Sequence, residues 1–308
     1  MSSDNSPGSK PFREESEPSH NSDNGVRSIA KALEVLSCFT PDHSEWGVTE
    51  IAEFLGLYKS AVHRILNTCE QFSFVEKTES HRYRLGARIL ELGNVYKVDR
   101  GFLMEAEPQL RLLAEDTEAV VHLAQLDGRD VLELLRSSAP GSVMFTRSPT
   151  FRMAVHATAL GKILLAFRNE ETLEKVIGNG VRLKKFTTHT IVQPQTLREE
   201  LRSVRERGYA ISDQESALGC RCLAVPVRSR GNDVTAAISI SGTLDSFTEA
   251  RQPFLVDRLL ATARVIGRSY DSWQNARRPA IAADDNVLEL VDDSQKRNPR
   301  GSSHALVS

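Results

Sequence analysis

The fold of the N-terminal region is decided by residues 48–66, which read VTEIAEFLGLYKSAVHRIL. Thr49 is a suitable N-cap for a short helix over residues 50–55, and Gly56 stands where a left-handed residue ends such a helix. A second amphipathic helix follows, and its apolar stripe consists of Val62, Ile65, Leu66 and Cys69. Two helices joined by so short a turn predict a helix-turn-helix over about residues 48–68.

The outer face of the second helix carries polar and basic side chains. They are Lys59, Ser60, His63, Arg64 and Asn67. Side chains of this kind at the start of a recognition helix reach base edges in the DNA major groove, so we predict a DNA-binding surface. The pattern alone fits a merely solvated helix equally well, because amphipathic helix pairs are common in helical domains.

A helix and a hairpin flank this pair. Ser28 is a suitable N-cap for a first helix, whose apolar spacing continues until Pro41. Residues 74–77 and 82–85 alternate in polarity around a polar tip, which predicts a β-hairpin, or wing. Basic side chains of the wing suit backbone phosphates, which position a protein on DNA without reading sequence. The candidates are Lys77, Arg82, Arg84 and Arg88.

The periodicity changes near residue 100. An apolar helical stripe predicts a linker helix over residues 89–104, and the small DNA-binding domain cannot itself bury that stripe, so a partner is implied. Beyond it, strand patterns joined by short turns, with helix patterns between blocks, favour an antiparallel α+β domain. We therefore predict a DNA-binding domain over 26–88, the linker helix over 89–104 and a second domain over 105–275.

Composition places the chain among ordinary globular proteins. Its 41 acidic and 39 basic residues in 308 give a net charge of −2, which argues against histone-like coating of nucleic acid but permits a local basic surface. No apolar run approaches the ~20 residues of a membrane-spanning helix, and no signal peptide is recognisable, so we expect a cytoplasmic protein. Four cysteines are too few for a disulfide scaffold. Residues 1–25 predict a disordered tail, and residues 276–308 a polar one.

Several ordered motifs resemble the IclR family of bacterial transcriptional regulators. In the N-terminal region they are SIAKALEVL (28–36), TEIA (49–52), KSAVHRIL (59–66) and YRLG (83–86). Farther along they are HATALGKILLA (156–166), CLAVPV (222–227) and AAISISG (236–242). The resemblance covers roughly residues 28–273. Three departures stand out: Tyr58 where proline is usual, Ala61 where threonine is usual, and residues 72–74, where a glycine-aromatic pair is expected.

The resemblance implies an α+β protein in which a winged helix-turn-helix domain is joined by a linker helix to a GAF-like antiparallel α/β effector-binding domain. It implies a homodimer or homotetramer that binds a pseudopalindromic double-stranded DNA operator. It also implies a small-molecule effector, an organic acid. We predict no cofactor and, from the lack of a spanning apolar run, no membrane partner. Ala61 joins the candidate DNA-binding residues by position, although it lacks the hydroxyl group that threonine would offer.

The resemblance implies an effector site, and the residues at the matching positions are themselves suited to bind an anion. Thr158 can cap a helix whose first turn presents backbone N–H groups, a suitable cradle for an anion. Ser239 and Ser241 lie two apart on a strand and so share one face. The effector-binding candidates are Ala159, Leu160, Gly161, Asp213, Cys222, Ser239 and Ser241. The same small residues are equally suited to close packing, and Cys222 to a buried apolar position.

Three other classes of function compete with this interpretation. An enzyme could use Cys222 with His122 or His156, or Asp213 with Glu215. However, the sequence contains no GxSxG, HExxH or dinucleotide fingerprint, so we predict no catalytic residue. A metal site built from Glu215, Cys220 and Cys222 would lack a fourth ligand at finger-like spacing, so none is predicted. A protein-interaction module without a DNA target would show no salt-sensitive DNA binding.

Overall fold

The computed structural model describes residues 26–142, 151–178 and 180–277. The expected tail over 1–25, and all of the 276–308 tail except its first two residues, lie outside these described residues. The chain is mixed α/β, with a helical N-terminal unit followed by an antiparallel sheet domain, as the sequence predicts.

The N-terminal unit is three helices and a hairpin. Its elements are α1 (Arg27–Leu36), α2 (Val48–Leu55), α3 (Lys59–Gln71), β1 (Val75–Lys77) and β2 (Tyr83–Leu85). Val35, Ile51, Val62 and Leu66 form the centre of its core, each fully buried. The predicted helix-turn-helix and wing are both present, and the apolar residues of the helices share one core with Val75 and Tyr83 of the hairpin.

Two predicted helix caps are wrong. Helix α1 begins at Arg27 with Val26 as its N-cap residue, so Ser28 lies inside the first turn. Helix α2 begins at Val48 with Gly47 as its N-cap, and the carboxylate of Glu50 accepts a hydrogen bond from the Gly47 amide at 3.0 Å. Glu50 therefore does the capping predicted for Thr49. Gly56 does end α2 in the left-handed conformation, at φ +68°.

The predicted linker is two helices rather than one. Helix α4 spans Ala87–Asp99 and α5 spans Phe102–Thr117, with a break at Arg100 and Gly101. The backbone carbonyl of Asp99 accepts a hydrogen bond from the indole Nε1 of Trp273 at 2.6 Å. The end of α4 is thus held by a side chain far along the sequence, a contact that an apolar stripe cannot predict.

The second unit is built on a six-stranded sheet. Its strands are β3 (Val120–Asp127), β4 (Asp130–Ser138), β5 (Arg152–Ala154), β6 (Ala210–Asp213), β7 (Cys220–Arg228) and β8 (Val234–Thr243). They lie in the order β5-β4-β3-β8-β7-β6, and every neighbouring pair is antiparallel. Its further helices are α6 (Ala159–Ala166), α7 (Glu170–Ile177), α8 (Pro194–Arg207) and α9 (Gln252–Arg277). Strand β5 and helix α7 had no counterpart in the sequence prediction.

The sheet has two differently covered faces. Helices α5 and α9 pack on one face, against Leu223, Val225 and Ile238. Helix α6 packs on the other face, against Ala210, Ala224 and Ala237, and α8 packs against α6. Because the strand residues facing α6 are small, this helix lies close to the sheet, and the polar strand residues between them become candidates for a site.

Candidate functional site

The exposed face of α3 presents the predicted DNA-contacting side chains together. Lys59, Ser60, His63 and Arg64 are all exposed, while Val62 and Leu66 are fully buried beneath them. Ala61 is half-buried. The apolar stripe therefore fixes the helix rigidly on the domain and leaves its polar side open, as major-groove insertion requires.

Asn67 connects this face to the wing. Its side-chain oxygen accepts a hydrogen bond from the hydroxyl of Tyr83 at 3.3 Å, and its amide nitrogen lies 3.4 Å from Nδ1 of His63. Tyr83 is 1% exposed and stands on β2. Asn67, itself half-buried, is thus placed to orient His63 on the predicted DNA-binding face.

Arg82, predicted to contact a DNA phosphate, instead forms hydrogen bonds within the N-terminal unit. Its guanidinium donates to both oxygens of Glu50 at 2.9 and 2.7 Å and to the backbone oxygen of Glu45 at 2.9 Å. The hydrogen bond from Arg82 lowers the pKa of Glu50. Arg82 therefore holds the wing against the start of α2. In this structure its guanidinium is bound to protein groups rather than free to contact a phosphate. Arg84 is exposed and pairs with Glu76, which stands directly opposite it on the other strand of the hairpin.

Three of the predicted effector residues meet on the α6 side of the sheet. Cys222 stands opposite Ser241 on the next strand, and Ser239 stands opposite Ala224. Residues directly opposite one another in antiparallel strands share a face, and Ala224 belongs to the core under α6. Ser212 stands opposite Cys222 on the other side and donates to the backbone oxygen of Ala157 at 3.0 Å.

The start of α6 is more tightly packed than an open anion cradle. Thr158 does cap the helix, but its hydroxyl oxygen accepts from the Gly161 amide at 3.1 Å, so that N–H is already used. A Cβ on Gly161 would lie 2.1 Å from the Val155 backbone oxygen. Ala159 and Leu160 are 1% and 3% exposed. Gly161 thus permits close packing, and the prediction that it presents a free amide is wrong.

Asp213 is not brought together with the other effector candidates. Along β6 it shares parity with Ile211, which packs on the α5 and α9 side of the sheet. Its carboxylate pairs with Arg221 at 2.9 and 3.2 Å, and Arg221 also donates to the Phe247 backbone oxygen. Asp213 therefore belongs to the opposite face, and placing it beside Ser239 and Ser241 is wrong.

The sequence analysis missed a buried polar network beside the serines. His122 stands opposite Ser239 on the neighbouring strand, is 6% exposed, and has its Nε2 3.1 Å from the Ser241 hydroxyl. Its Nδ1 lies 3.4 Å from Glu133, whose two oxygens accept from Arg136 at 2.7 and 2.8 Å. The detectable signal was a charged residue at an alternate position of the apolar strand VLELLR.

The charge of this network is internally balanced. Burial raises the pKa of Glu133, but the neighbouring His122 ring and the hydrogen-bonded Arg136 guanidinium more than offset that effect, so the pKa lies below its ordinary value. The carboxylate is ionised at neutral pH and neutralises the guanidinium. The other polar groups on this sheet face are hydroxyl, thiol and imidazole groups.

A buried ion pair between Lys162 and Glu215 holds α6 in place. Lys162 is 2% exposed, and its ammonium donates to Glu215 at 2.5 Å and to the Ile211 backbone oxygen at 3.0 Å. Glu200 lies 3.7 Å from the same nitrogen. Desolvation raises the pKa of Glu215, against the lowering effect of Lys162. The pair joins α6 to the segment after β6 and to α8.

The groups proposed for catalysis are committed to other contacts. His156 donates to the Lys184 backbone oxygen at 2.8 Å, and the thiol of Cys222 lies 3.7 Å from that of Cys220. Hydrogen bonding with Cys220, together with burial, raises the pKa of Cys222, so its thiol is protonated and weakly nucleophilic. Within the described parts of the chain, no three His, Cys, Asp or Glu side chains are grouped so as to hold a metal ion.

Comparison with known proteins decides the family. The model of the IclR helix-turn-helix domain matches residues 28–79, and that of the bacterial transcriptional regulator IclR C-terminal domain matches residues 97–268. This chain belongs to the IclR family. It is 30% identical over 247 residues to the HTH-type transcriptional regulator XynR of Escherichia coli K12, covering 79% of this chain and 98% of that one. The transcriptional repressor IclR of the same organism is 30% identical over 248 residues, covering 80% and 90%.

Solved structures of this family share the fold. An IclR homologue from Microbacterium hydrocarbonoxydans, complexed with 4-hydroxybenzoate, is 26% identical, covers 80% of this chain and 99% of its own, and has a TM-score of 0.71. The Thermotoga maritima IclR is 28% identical, covers 79% and 98%, and has a TM-score of 0.63. The chain is accordingly an IclR-type DNA-binding transcriptional regulator, and this family consists of regulators rather than enzymes.

None of the helices in the described ranges is both long and apolar enough to span a membrane.

Proposed function

We propose that this IclR-type regulator binds a pseudopalindromic operator as a homodimer or homotetramer, and that a small organic acid bound in the second domain changes its operator affinity. The DNA-contacting groups we assign to α3 are Lys59, Ser60, Ala61, His63, Arg64 and Asn67, with Arg84 on the wing. We propose a cytoplasmic location, because a regulator of this type acts on DNA. Domain limits of 26–88 and 105–275, with α4 leading between them, suit this division of labour.

The main observation behind the effector proposal is a group of polar side chains on the sheet face that α6 covers. Ser239, Ser241, Cys222 and His122 stand on one sheet face in a region otherwise lined by alanines and aliphatic side chains. The Ser241 hydroxyl already bonds His122, but that of Ser239, which is 3% exposed, has no hydrogen-bond partner among the described residues. A buried hydroxyl group is costly unless it forms a hydrogen bond, so a ligand that accepts one from Ser239 is favoured here. A carboxylate accepts hydrogen bonds from hydroxyl groups. The relative complexed with 4-hydroxybenzoate supports the choice of class.

The effector test is a thermal-shift screen of small aliphatic and aromatic carboxylic acids against the full chain, followed by operator titration with each hit. Substituting Ser239→Ala and Ser241→Ala together should weaken binding at least tenfold, because two hydrogen bonds to a charged group are lost. Asp213→Asn is the matched control, since it changes a polar side chain on the other sheet face. Hits that bind the double variant normally would place the site elsewhere.

The DNA test is selection of bound fragments from random duplexes by the wild-type protein. Recovery of an inverted-repeat sequence, bound far more tightly than unrelated duplexes at physiological salt, supports the proposal. Equal binding to every duplex would refute sequence-specific recognition. The sign of regulation, repression or activation, follows from transcription measured at the recovered site.

A further inference from the structure

An exposed aromatic ring stands at the leading end of α3. Tyr58 is the N-cap residue of this helix and is 85% exposed, more than any other exposed large hydrophobic residue in the described parts of the chain. Its side chain forms no hydrogen bond, ion pair or ring contact with any residue that the structure describes. The ring thus makes no contribution to packing that would explain its presence.

The position of Tyr58 is set by the rest of the helix. Its backbone oxygen accepts hydrogen bonds from the amides of Ala61 and Val62, at 2.9 and 3.1 Å, so the residue is fixed at the first turn. Its own backbone is extended, with φ −70° and ψ 136°, so the residue directly precedes the helix proper. Lys59 and Ser60, which follow it directly, are both exposed.

We propose that Tyr58 is a specificity-determining residue whose ring contacts the C5-methyl group of a thymine in each operator half-site. This inference rests on the proposed function, in which α3 enters the major groove. The N-terminal residues of a recognition helix are those that meet base edges, and the thymine methyl is the one apolar group that base pairs display in that groove. Burying the ring against a methyl group removes apolar surface of both partners from water.

A phosphate contact through the phenol hydroxyl is the main competing role. It would raise affinity for every duplex alike, because phosphates carry no sequence information. The methyl contact instead predicts dependence on a single atom group of a single base. Replacing thymine by deoxyuridine removes only that methyl and keeps base pairing, so the two roles can be separated.

The experiment uses the full chain and the operator recovered by selection. Each thymine is replaced by deoxyuridine in turn, and dissociation constants are measured for wild type, Tyr58→Ala and Tyr58→Phe. We expect one position per half-site at which wild type loses about fourfold in affinity, the effect of one methyl group withdrawn from an apolar contact. Tyr58→Phe should keep that dependence, whereas Tyr58→Ala should bind both operators equally.

Phe72→Ala is the matched control. Phe72 is an aromatic residue that is 66% exposed at the opposite end of α3, so its loss should leave the deoxyuridine pattern unchanged. Equal weakening of all duplexes by Tyr58→Phe and Tyr58→Ala would assign the residue to a phosphate and overturn the inference. So would a Tyr58→Ala protein that keeps the wild-type deoxyuridine pattern. Failure of wild type to select any operator would instead refute the proposed function.

Discussion

The basic residues around α3 differ in what else they do, and this difference predicts their effects. Arg64 is exposed on the recognition face, whereas exposed Arg84 lies on the wing. Arg64→Ala should cost ~1–3 kcal/mol at the preferred operator if the guanidinium reads a base. Arg84→Ala should weaken all duplexes alike and reduce the salt dependence of binding. Fluorescence anisotropy at several salt concentrations, with specific and unrelated duplexes, distinguishes the two; identical behaviour would contradict the assignment.

Arg82 is expected to act on stability instead. Its loss removes a two-pronged pair with Glu50 and a hydrogen bond to the Glu45 backbone oxygen. Because both side chains are partly exposed, the expected loss is modest, ~1 kcal/mol in the free energy of unfolding of the N-terminal unit. Arg82→Lys should restore little, since lysine lacks the planar fork. Thermal unfolding followed by circular dichroism measures it, and an unchanged melting curve with lost DNA binding would reinstate a phosphate contact.

The buried Lys162–Glu215 pair should make the stability of the fold depend on pH. Removing the carboxylate with Glu215→Ala leaves a buried ammonium with only Glu200 nearby, at a cost of up to ~3–5 kcal/mol. Since the folded pKa of Glu215 is raised, its contribution to stability is complete below the unfolded pKa and is lost as pH rises through the folded value.

Urea unfolding across that range should show a downward slope for wild type that Glu215→Gln removes. An unchanged slope in the variant would mean that another group titrates there.

At the scale of elements, the close packing of α6 depends on Gly161 having no side chain. Gly161→Ala would place a Cβ 2.1 Å from the Val155 backbone oxygen and 2.4 Å from its Cα, so backbone must move, at ~1–3 kcal/mol or more. Gly93→Ala in α4 makes the same chemical change with no atom within 4 Å and should raise helix stability by ~0.5–1 kcal/mol. Chemical denaturation of both variants checks the contrast; a tolerated Gly161→Ala would contradict the packing described.

The elements also show which parts of the fold a sequence can predict. The helix-turn-helix and the longer strands β7 and β8 were predictable, because their apolar residues repeat with the period of the element. Strand β5 has no buried residue among its three and so shows no apolar alternation, whereas the helical spacing of Leu173, Val176 and Ile177 in α7 was present in the sequence but was not recognised. Other local details also differ from the prediction: Glu50, whose carboxylate is held by Arg82 of the wing, replaced Thr49 as the cap, and Asn232 and Ser73 adopt positive φ although neither is glycine.

The candidate site was predictable only where one strand determines a shared face. Ser239 and Ser241 follow from alternation along β8, but the addition of His122 requires knowing that β3 lies beside β8. Asp213 was misplaced for the same reason: the face of β6 is set by its register with β7, which the residues themselves do not reveal.

At the scale of the whole molecule, the outer surface of α4 calls for a partner. None of its 13 residues is buried, and Leu92, Val95 and Val98 are 44%, 65% and 71% exposed. An apolar stripe of this length is typical of an interface between copies of the chain. Leu92→Glu with Val95→Glu should therefore yield monomers in sedimentation equilibrium at micromolar concentration and abolish tight operator binding. Lys97→Glu, a charge change on the same helix, is the control; dimers persisting in the double variant would place the interface elsewhere.

Communication between the two domains has a specific junction to pass through. The helical structure is interrupted at Arg100 and Gly101, between α4 and α5. At this point the indole of Trp273 on α9 donates a hydrogen bond to the Asp99 backbone oxygen. The Trp273 ring also packs against Phe102 and Tyr270, with centroids 5.5 and 5.4 Å apart. Helix α9 packs on the same sheet that carries the proposed effector site on its other face.

Trp273→Phe should therefore weaken coupling without weakening either binding event. It keeps an aromatic ring at the junction but removes the hydrogen bond that fixes the end of α4. In wild type an effector should change operator affinity by 5- to 150-fold, the usual range of a coupling free energy of ~1–3 kcal/mol, and linkage requires DNA to change effector affinity by the same factor. In Trp273→Phe both factors should fall together toward one, while effector affinity without DNA and operator affinity without effector stay near wild type. Calorimetric titration with and without operator measures all four constants, and undiminished coupling in the variant would show that the signal takes another route.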